Sequence, residues 1–179
     1  IINGSKVRHG DALIGIASSG PHANGYSLIR KILKDTGTTY GRRFGNATIG
    51  RVLLTPTRIY IKPVMKLINT VPVKALAHIT GGGLIENIPR VIPSGLDVVI
   101  HTRSWEQPPI FKWLQQRGRV DATEMYRVFN CGVGMVACVA AKNLKKALVC
   151  LSRAGETAWH IGNIKKNSGG GCSVILTGM

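Results

Sequence analysis

Ala75-Leu76-Ala77-His78-Ile79-Thr80-Gly81-Gly82-Gly83-Leu84-Ile85-Glu86-Asn87-Ile88-Pro89-Arg90 is the stretch on which the reading of this chain turns. Ala75 to Ile79 is a short, mostly apolar run of the kind that ends a buried strand. It breaks into three consecutive glycines before residues with helical potential resume. Ordered glycine costs more backbone entropy than any other residue, so three in a row need a reason: a positive φ, or close approach of a ligand to the N–H groups. A helical turn after such a loop adds unpaired N–H groups and a dipole that favours negative charge. A tight strand-to-helix turn without a ligand fits the same residues.

Upstream, the same design recurs. Ala12 to Ala17 is an apolar run of strand length, followed by Ser18-Ser19-Gly20-Pro21-His22-Ala23-Asn24-Gly25 and then by Tyr26 to Leu33. Glycine, proline, asparagine and two hydroxyls are turn formers, and Asn24 is placed to cap the next helix. Leu28, Ile29, Ile32 and Leu33 give that helix one buried stripe. Two such loops at one edge of a sheet would line a cleft with backbone donors, hydroxyls, an amide and an imidazole.

The remaining elements follow from runs and breakers. Asp35 to Gly50 is polar and glycine-rich, an exposed excursion carrying Arg42-Arg43. Pro63 belongs in the first turn of a helix bearing Val64, Leu67 and Ile68. Val98 to His101 reads as a strand, and Pro108-Pro109 opens a helix with Ile110, Trp113 and Leu114 inward, closed by Gly118. Val133 to Val139 is a central strand, and Asn143 to Ala154 an amphipathic helix ended by Gly155. Trp159 to Ile164 and Ser173 to Leu176 close the chain as strands around a turn at Asn167 to Gly171. Strand–helix alternation predicts a layered α/β domain, and the closing run permits antiparallel pairs.

Composition narrows the function classes. A chain of 179 residues, 44% hydrophobic, fits one domain with a real core. The longest apolar run, Val133 to Ala141, is too short to span a bilayer, and no secretory leader pattern opens the chain. Cys131, Cys138, Cys150 and Cys172 lack CxxC spacing, so reduced, packed thiols in a cytoplasmic protein are expected, Cys131 included. His9, His101 and His160 form no metal-ligand pattern, and His78 reads as a core histidine. Lysine and arginine total 24 against 8 acids, a formal +16. That field attracts phosphate-bearing partners. The cations run from Lys6 to Lys166, aromatics are only 6%, and Lys142, Lys145 and Lys146 fall on the solvated face of a helix. Nucleic acid is therefore expected to be held only non-specifically.

Four stretches together carry a resemblance. Ser18 to Ser27, Ala77 to Gly83 with Glu86-Asn87-Ile88-Pro89-Arg90-Val91, Pro56-Thr57-Arg58-Ile59-Tyr60, and Glu124-Met125-Tyr126-Arg127 with Phe129-Asn130-Cys131-Gly132-Val133-Gly134-Met135 resemble phosphoribosylformylglycinamidine cyclo-ligases, the AIR synthetases, in order and spacing. The likeness runs from about Gly10 to Lys165 and concerns the C-terminal domain of that family. It implies a three-layer α/β/α (α+β) domain with a mixed, partly ferredoxin-like sheet over residues 10–179. Residues 1–9 would be an interdomain segment, and an N-terminal ATP-binding domain would lie outside this chain.

The family reaction closes the imidazole ring of aminoimidazole ribonucleotide from formylglycinamidine ribonucleotide with ATP, in purine synthesis. Such chemistry needs positioning, Mg²⁺ on polyphosphate, and donors aimed at developing charge. The resemblance implies His22 and Asn24 as catalytic residues. It implies Ser19, Gly20, Thr80, Gly81, Gly82, Gly83, Glu86 and Asn130 as substrate or phosphate ligands. No metal ligand is implied here, ATP and Mg²⁺ being held mainly by the N-terminal domain, and the intact enzyme would be a homodimer with no membrane contact. Arg58, Arg90 and Arg127 are weaker phosphate candidates that also suit structural ion pairs.

Two alternatives stand beside this reading. One is a divergent ATP-using relative that phosphorylates selenide or thiamine phosphate, or that matures hydrogenase. The other is a catalytically silent basic domain binding nucleotide, nucleic acid or a partner protein.

Overall fold

The computed structural model describes residues 1–179. Along the chain come β1 (Ala12–Ala17), α1 (Tyr26–Asp35), a small hairpin of β2 (Arg43–Phe44) and β3 (Ala47–Thr48), α2 (Ile49–Leu53) and α3 (Ile61–Thr70). There follow β4 (Val73–His78), α4 (Gly83–Asn87), β5 (Leu96–His101), α5 (Pro109–Gly118) and α6 (Ala122–Val128). The chain closes with β6 (Val133–Val139), α7 (Leu144–Arg153), β7 (Ala158–Lys166) and β8 (Val174–Thr177).

Six strands form one sheet in the order β4-β6-β1-β7-β5-β8. Every neighbouring pair is antiparallel except β5 with β8, so the sheet is mixed. Its first four strands contain two β-α-β units, β1-α3-β4 and β6-α7-β7, interleaved as in ferredoxin-like folds. β5 and β8 extend that core at one edge.

Alternation along β1 sorts the layers, because successive side chains point to opposite faces. Ala12, Ile14 and Ile16 pack with Leu67, Val71, Ala147 and Leu151, under α3 and α7. Leu13 joins the larger cluster on the other face, with Ile29 and Ile32 of α1, Leu84 of α4, Phe111 and Leu114 of α5, and Phe129. Helices thus cover both faces, giving the expected three layers. Each fully buried Leu, Ile, Val or Phe among them contributes roughly 1.5–3 kcal/mol relative to exposure.

Several local expectations change. Asn24 does not cap α1: the capping position is Gly25, in the left-handed region at φ 71, with no side-chain cap bond. Gly25 is required there because a Cβ would run into the Phe129 ring. α3 begins at Ile61, two residues before Pro63. The excursion from Asp35 to Gly50 contains the β2–β3 hairpin, whose Phe44 ring meets Trp113 edge-on at 6.1 Å. α6 has no counterpart in the sequence reading; Asp121 caps it by accepting the N–H groups of Thr123 (2.8 Å) and Glu124 (3.3 Å). His78 is exposed at the end of β4 and is not a core histidine. All four cysteines are free thiols, Cys131, Cys138 and Cys150 being buried. No helix is long and apolar enough to cross a membrane.

Candidate functional site

Topology brings the motif stretches together. β1 and β4 both run antiparallel to β6, which lies between them, so they run parallel to each other. Their exit loops, Ser18–Gly25 and Ile79–Gly82, therefore leave the same end of the sheet as the segment Phe129–Gly132 that enters β6.

Buried asparagine amides fasten these segments to one another. Asn24 donates through Nδ2 to the Ile79 carbonyl at 3.1 Å, tying the first loop to the second. Asn130, with no exposed surface, donates to the Gly20 carbonyl at 2.9 Å. Its Oδ1 accepts the Ser18 hydroxyl at 3.1 Å and the Gly132 N–H at 2.9 Å. Asn87 donates to the Gly81 (3.0 Å) and Gly83 (2.8 Å) carbonyls and accepts the Thr80 hydroxyl at 3.1 Å. Ser19 donates its hydroxyl to the Pro56 carbonyl at 2.7 Å, which adds the Pro56–Tyr60 stretch to the same cluster.

The glycines leave polar backbone for other partners. Gly20, Gly81 and Gly82 N–H groups make no hydrogen bond within the protein. Gly83 does: its N–H bonds the Thr80 carbonyl at 3.0 Å. α4 spans only five residues, so its dipole adds little, and the free amides of the preceding loop are the stronger feature. Glu86 is exposed in the first turn of α4, close against Gly82.

His22 occupies an unusual position. It takes a left-handed backbone (φ 58) and is only 5% exposed. Nε2 accepts the Ser19 N–H at 3.1 Å and the Arg58 N–H at 3.5 Å, so the proton of the neutral ring sits on Nδ1. Nδ1 is buried and has no acceptor in the protein. Burial pushes the ring pKa down to about 4, helped by His78 and Arg58 nearby. The His22 ring is therefore neutral near pH 7, with its Nδ1–H left without a partner.

This environment predicts an acid response. The unfolded ring takes up a proton near its ordinary value of 6.5, the folded ring only near 4. The stabilisation is complete above about pH 6.5 and is lost as pH falls towards about 4. Urea denaturation should lose about 2 kcal/mol between about pH 7.5 and about pH 5 through this residue. His22→Asn, which tolerates positive φ and keeps an acceptor for Ser19, should remove that slope. An unchanged slope would show that His22 is not the acid-sensitive group.

Tyr60 and Gly134 belong to the site although sequence reasoning gave them no role. Tyr60 is buried and donates its hydroxyl to the Ala17 carbonyl at 2.7 Å; burial raises its pKa far above the ordinary tyrosine value. In the β1–β6 ladder Ile16 faces Met135 and Ala17 faces Val133, so Gly134 is the extra residue of a bulge. A Cβ on Gly134 would overlap the Tyr60 hydroxyl and lie 2.7 Å from His22 Cε1. The signal was present in Gly132-Val133-Gly134, since a glycine inside a strand marks a bulge or a close approach.

The arginines divide. Arg58 pairs with Glu156 at 2.9 Å and Arg127 with Glu124 at 3.6 Å, whereas Arg90 is exposed and unpaired. Cys131 is buried at φ 48, donates to the Met125 carbonyl, and has its thiol pKa pushed up by desolvation, which makes it inert. No group of three or more His, Cys, Asp or Glu side chains is placed to hold a metal ion.

Loops carrying free amides, pinned by buried asparagines at one end of a ferredoxin-like α/β sheet, match a family model described as AIR synthase related protein, C-terminal domain, over residues 8–175; the chain belongs to that family. Two proteins of Coxiella burnetii, strains RSA 331 / Henzerling II and RSA 493 / Nine Mile phase I, are each 56% identical to it over 168 residues. Both are named phosphoribosylformylglycinamidine cyclo-ligase, and the match covers 94% of this chain and 48% of theirs. The chain thus spans about half the length of the curated relatives it matches. Among solved structures, E. coli HypE aligns with a TM-score of 0.67 at 19% identity, over 98% of this chain and 49% of HypE. A hydrogenase maturation protein HypE in complex with ATP gives 0.67 at 16%, over 97% and 50%. Thiamine-monophosphate kinase of Stenotrophomonas maltophilia K279a gives 0.58 at 14%, over 94% and 51%. These three share the fold.

Proposed function

We propose that the chain is the substrate-cleft half of a phosphoribosylformylglycinamidine cyclo-ligase, which closes the ring of aminoimidazole ribonucleotide from formylglycinamidine ribonucleotide with ATP. The observation that carries this is the Asn24–Ile79 bond, which joins the two glycine loops into one wall, in a chain 56% identical to proteins of that name. ATP would supply the phosphoryl group that turns a poor leaving oxygen into a good one. On this wall, the Gly20, Gly81 and Gly82 N–H groups donate to phosphate oxygens, while the Ser19 and Thr80 hydroxyls, whose protons go to the Pro56 carbonyl and to Asn87 Oδ1, hold the loops in shape around them. Gly83 sets the backbone path behind them, and Glu86 stands at the rim for a ligand hydroxyl. His22 donates from Nδ1 to the reacting oxygen, and Asn24 offers its Oδ1 to a substrate N–H. Asn130 holds Gly20 in place.

The other half of the cyclo-ligase would bring the acidic groups for Mg²⁺ and most contacts to ATP, and the intact enzyme would act as a cytoplasmic homodimer. An apolar groove of about 450 Å³ beside His22 suits the docking of that half. Ile59, Ile61 and Met65 on its rim are 76%, 71% and 52% exposed, an apolar rim of the kind that marks protein contact sites.

Incubated with formylglycinamidine ribonucleotide, ATP and Mg²⁺, the 179-residue chain should release no phosphate above background. Co-production with the complementary half of a cyclo-ligase should restore turnover. Full turnover by the chain alone would overturn the two-half reading, and none in either case would overturn the assignment to this reaction.

A further inference from the structure

The surplus of cations is not absorbed by a ribonucleotide site, and its distribution in space differs from its distribution in sequence. Between Tyr26 and Leu54 stand Arg30, Lys31, Lys34, Arg42, Arg43 and Arg51 against one acid, Asp35. Asp35 is already paired with Lys31 at 3.0 Å, leaving a single-signed surface. α1 and α2 border a groove of about 310 Å³ lined by Tyr26, Ile29, Arg30, Tyr40, Gly50 and Leu53 among others. Tyr40 is 56% exposed on that rim. Its main chain is fixed, since the Gly50 N–H bonds the Tyr40 carbonyl at 2.8 Å and the Ile49 N–H bonds the Arg42 carbonyl at 2.9 Å. The ring is thus an exposed aromatic on a rigid stem, with Arg30 lining the same groove and Arg42, Arg43 and Arg51 exposed within three residues of Tyr40 or Gly50 along the chain.

The opposite layer offers an internal comparison. α3 and α7 also carry exposed cations, Lys62, Lys66, Lys145, Lys146 and Arg153, and no acid. That face has four lysines to one arginine and no exposed aromatic ring. Arginine pairs bidentately with phosphate and stacks on planar groups, whereas lysine acts as a point charge. Single-stranded nucleic acid is bound where a cationic track meets an aromatic platform.

We propose that the groove between α1 and α2 binds single-stranded RNA without sequence preference, a base stacking on Tyr40 and flanking phosphates meeting Arg30, Arg42, Arg43 and Arg51. The groove shares no lining residue with the loops at Ser18–Gly25 or Ile79–Gly82.

Fluorescence anisotropy of a labelled oligouridine against the 179-residue chain, over a salt series, tests this. Arg42→Glu/Arg51→Glu should weaken binding by about 20-fold and lower the salt slope by roughly 1.4, at about 0.7 per lost phosphate contact. Tyr40→Ala should weaken it by about 5-fold or more with the slope unchanged. Lys145→Glu/Lys146→Glu, the same charge change on the other layer, should weaken it by less than about 3-fold. Equal losses in the two double variants would overturn the proposal in favour of a diffuse field, and unaltered binding by Tyr40→Ala would remove the base platform. Capture by phosphatidylserine vesicles without RNA binding would overturn it in favour of a lipid surface.

Discussion

Gly83→Ala is expected to lower the unfolding free energy by about 3 kcal/mol or more, combining left-handed strain with overpacking. Gly83 holds φ 55, and a Cβ there would overlap the Tyr126 carbonyl oxygen and lie 2.8 Å from that of Phe129. These are backbone atoms at the exit of α6, so no side-chain rotation relieves the clash and α4 has to move off α6. In a thermal scan the melting temperature should fall by about 10 °C, at roughly 2–4 °C per kcal/mol for a chain of this size. Gly81→Ala gives the contrast: no neighbour lies within 4 Å and its φ is outside the left-handed region. It should stay within about 0.5 kcal/mol of the native chain. Gly81 is thus the position at which a methyl group reports on ligand approach alone, and unchanged ribonucleotide binding by Gly81→Ala would remove it from the phosphate wall. Native stability in Gly83→Ala would show that α4 and α6 are free to separate.

What was legible in the sequence was whatever depended on local pattern. β1 is the apolar run Ala12–Ala17, and β6 is Val133–Val139, because a near-continuous apolar run, buried on both faces and bounded by polar residues, leaves little choice. Both loops, their convergence and the likeness to the cyclo-ligases were readable for the same reason: glycines, asparagines and hydroxyls at fixed offsets. What was not legible depended on partners far along the chain. Asn24 has the right type and place for a helix cap, yet its amide goes to Ile79, 55 residues away, and Gly25 takes the capping turn. His78 looks internal in an apolar run, but β4 is an edge strand and its last residue faces out. Asn87, quoted only as part of a motif, satisfies two glycine carbonyls that nothing in its neighbourhood announces. The groove around Tyr40 escaped for a related cause, since Tyr26, Arg30, Tyr40 and Leu53 are scattered along the chain until α1 and α2 come to border it.

Asn130 carries the other large effect. Its side chain is wholly buried and makes three bonds, to the Gly20 carbonyl, the Gly132 N–H and the Ser18 hydroxyl. Asn130→Ala strands a buried carbonyl and a buried N–H at about 1–3 kcal/mol each, so a loss of about 3 kcal/mol is expected in urea denaturation. Loss of the donor can be separated from loss of the acceptor with Asn130→Asp, which keeps Oδ1 for Gly132 and Ser18 but aims a second oxygen at the Gly20 carbonyl. An ionised carboxylate buried there is disfavoured, so its folded pKa rises above the unfolded value near 3.9. A raised folded pKa gives stability that is present at low pH and lost as pH rises through the folded value. Asn130→Asp should therefore approach the native chain at about pH 4, where the protonated acid donates to Gly20, and fall about 3 kcal/mol below it at about pH 7. The acid loss assigned to His22 is common to both chains and cancels in the difference at each pH. A constant difference across that range would mean that the amide donor does not hold Gly20, and the first loop would then owe its position to Asn24 and Ile79 instead.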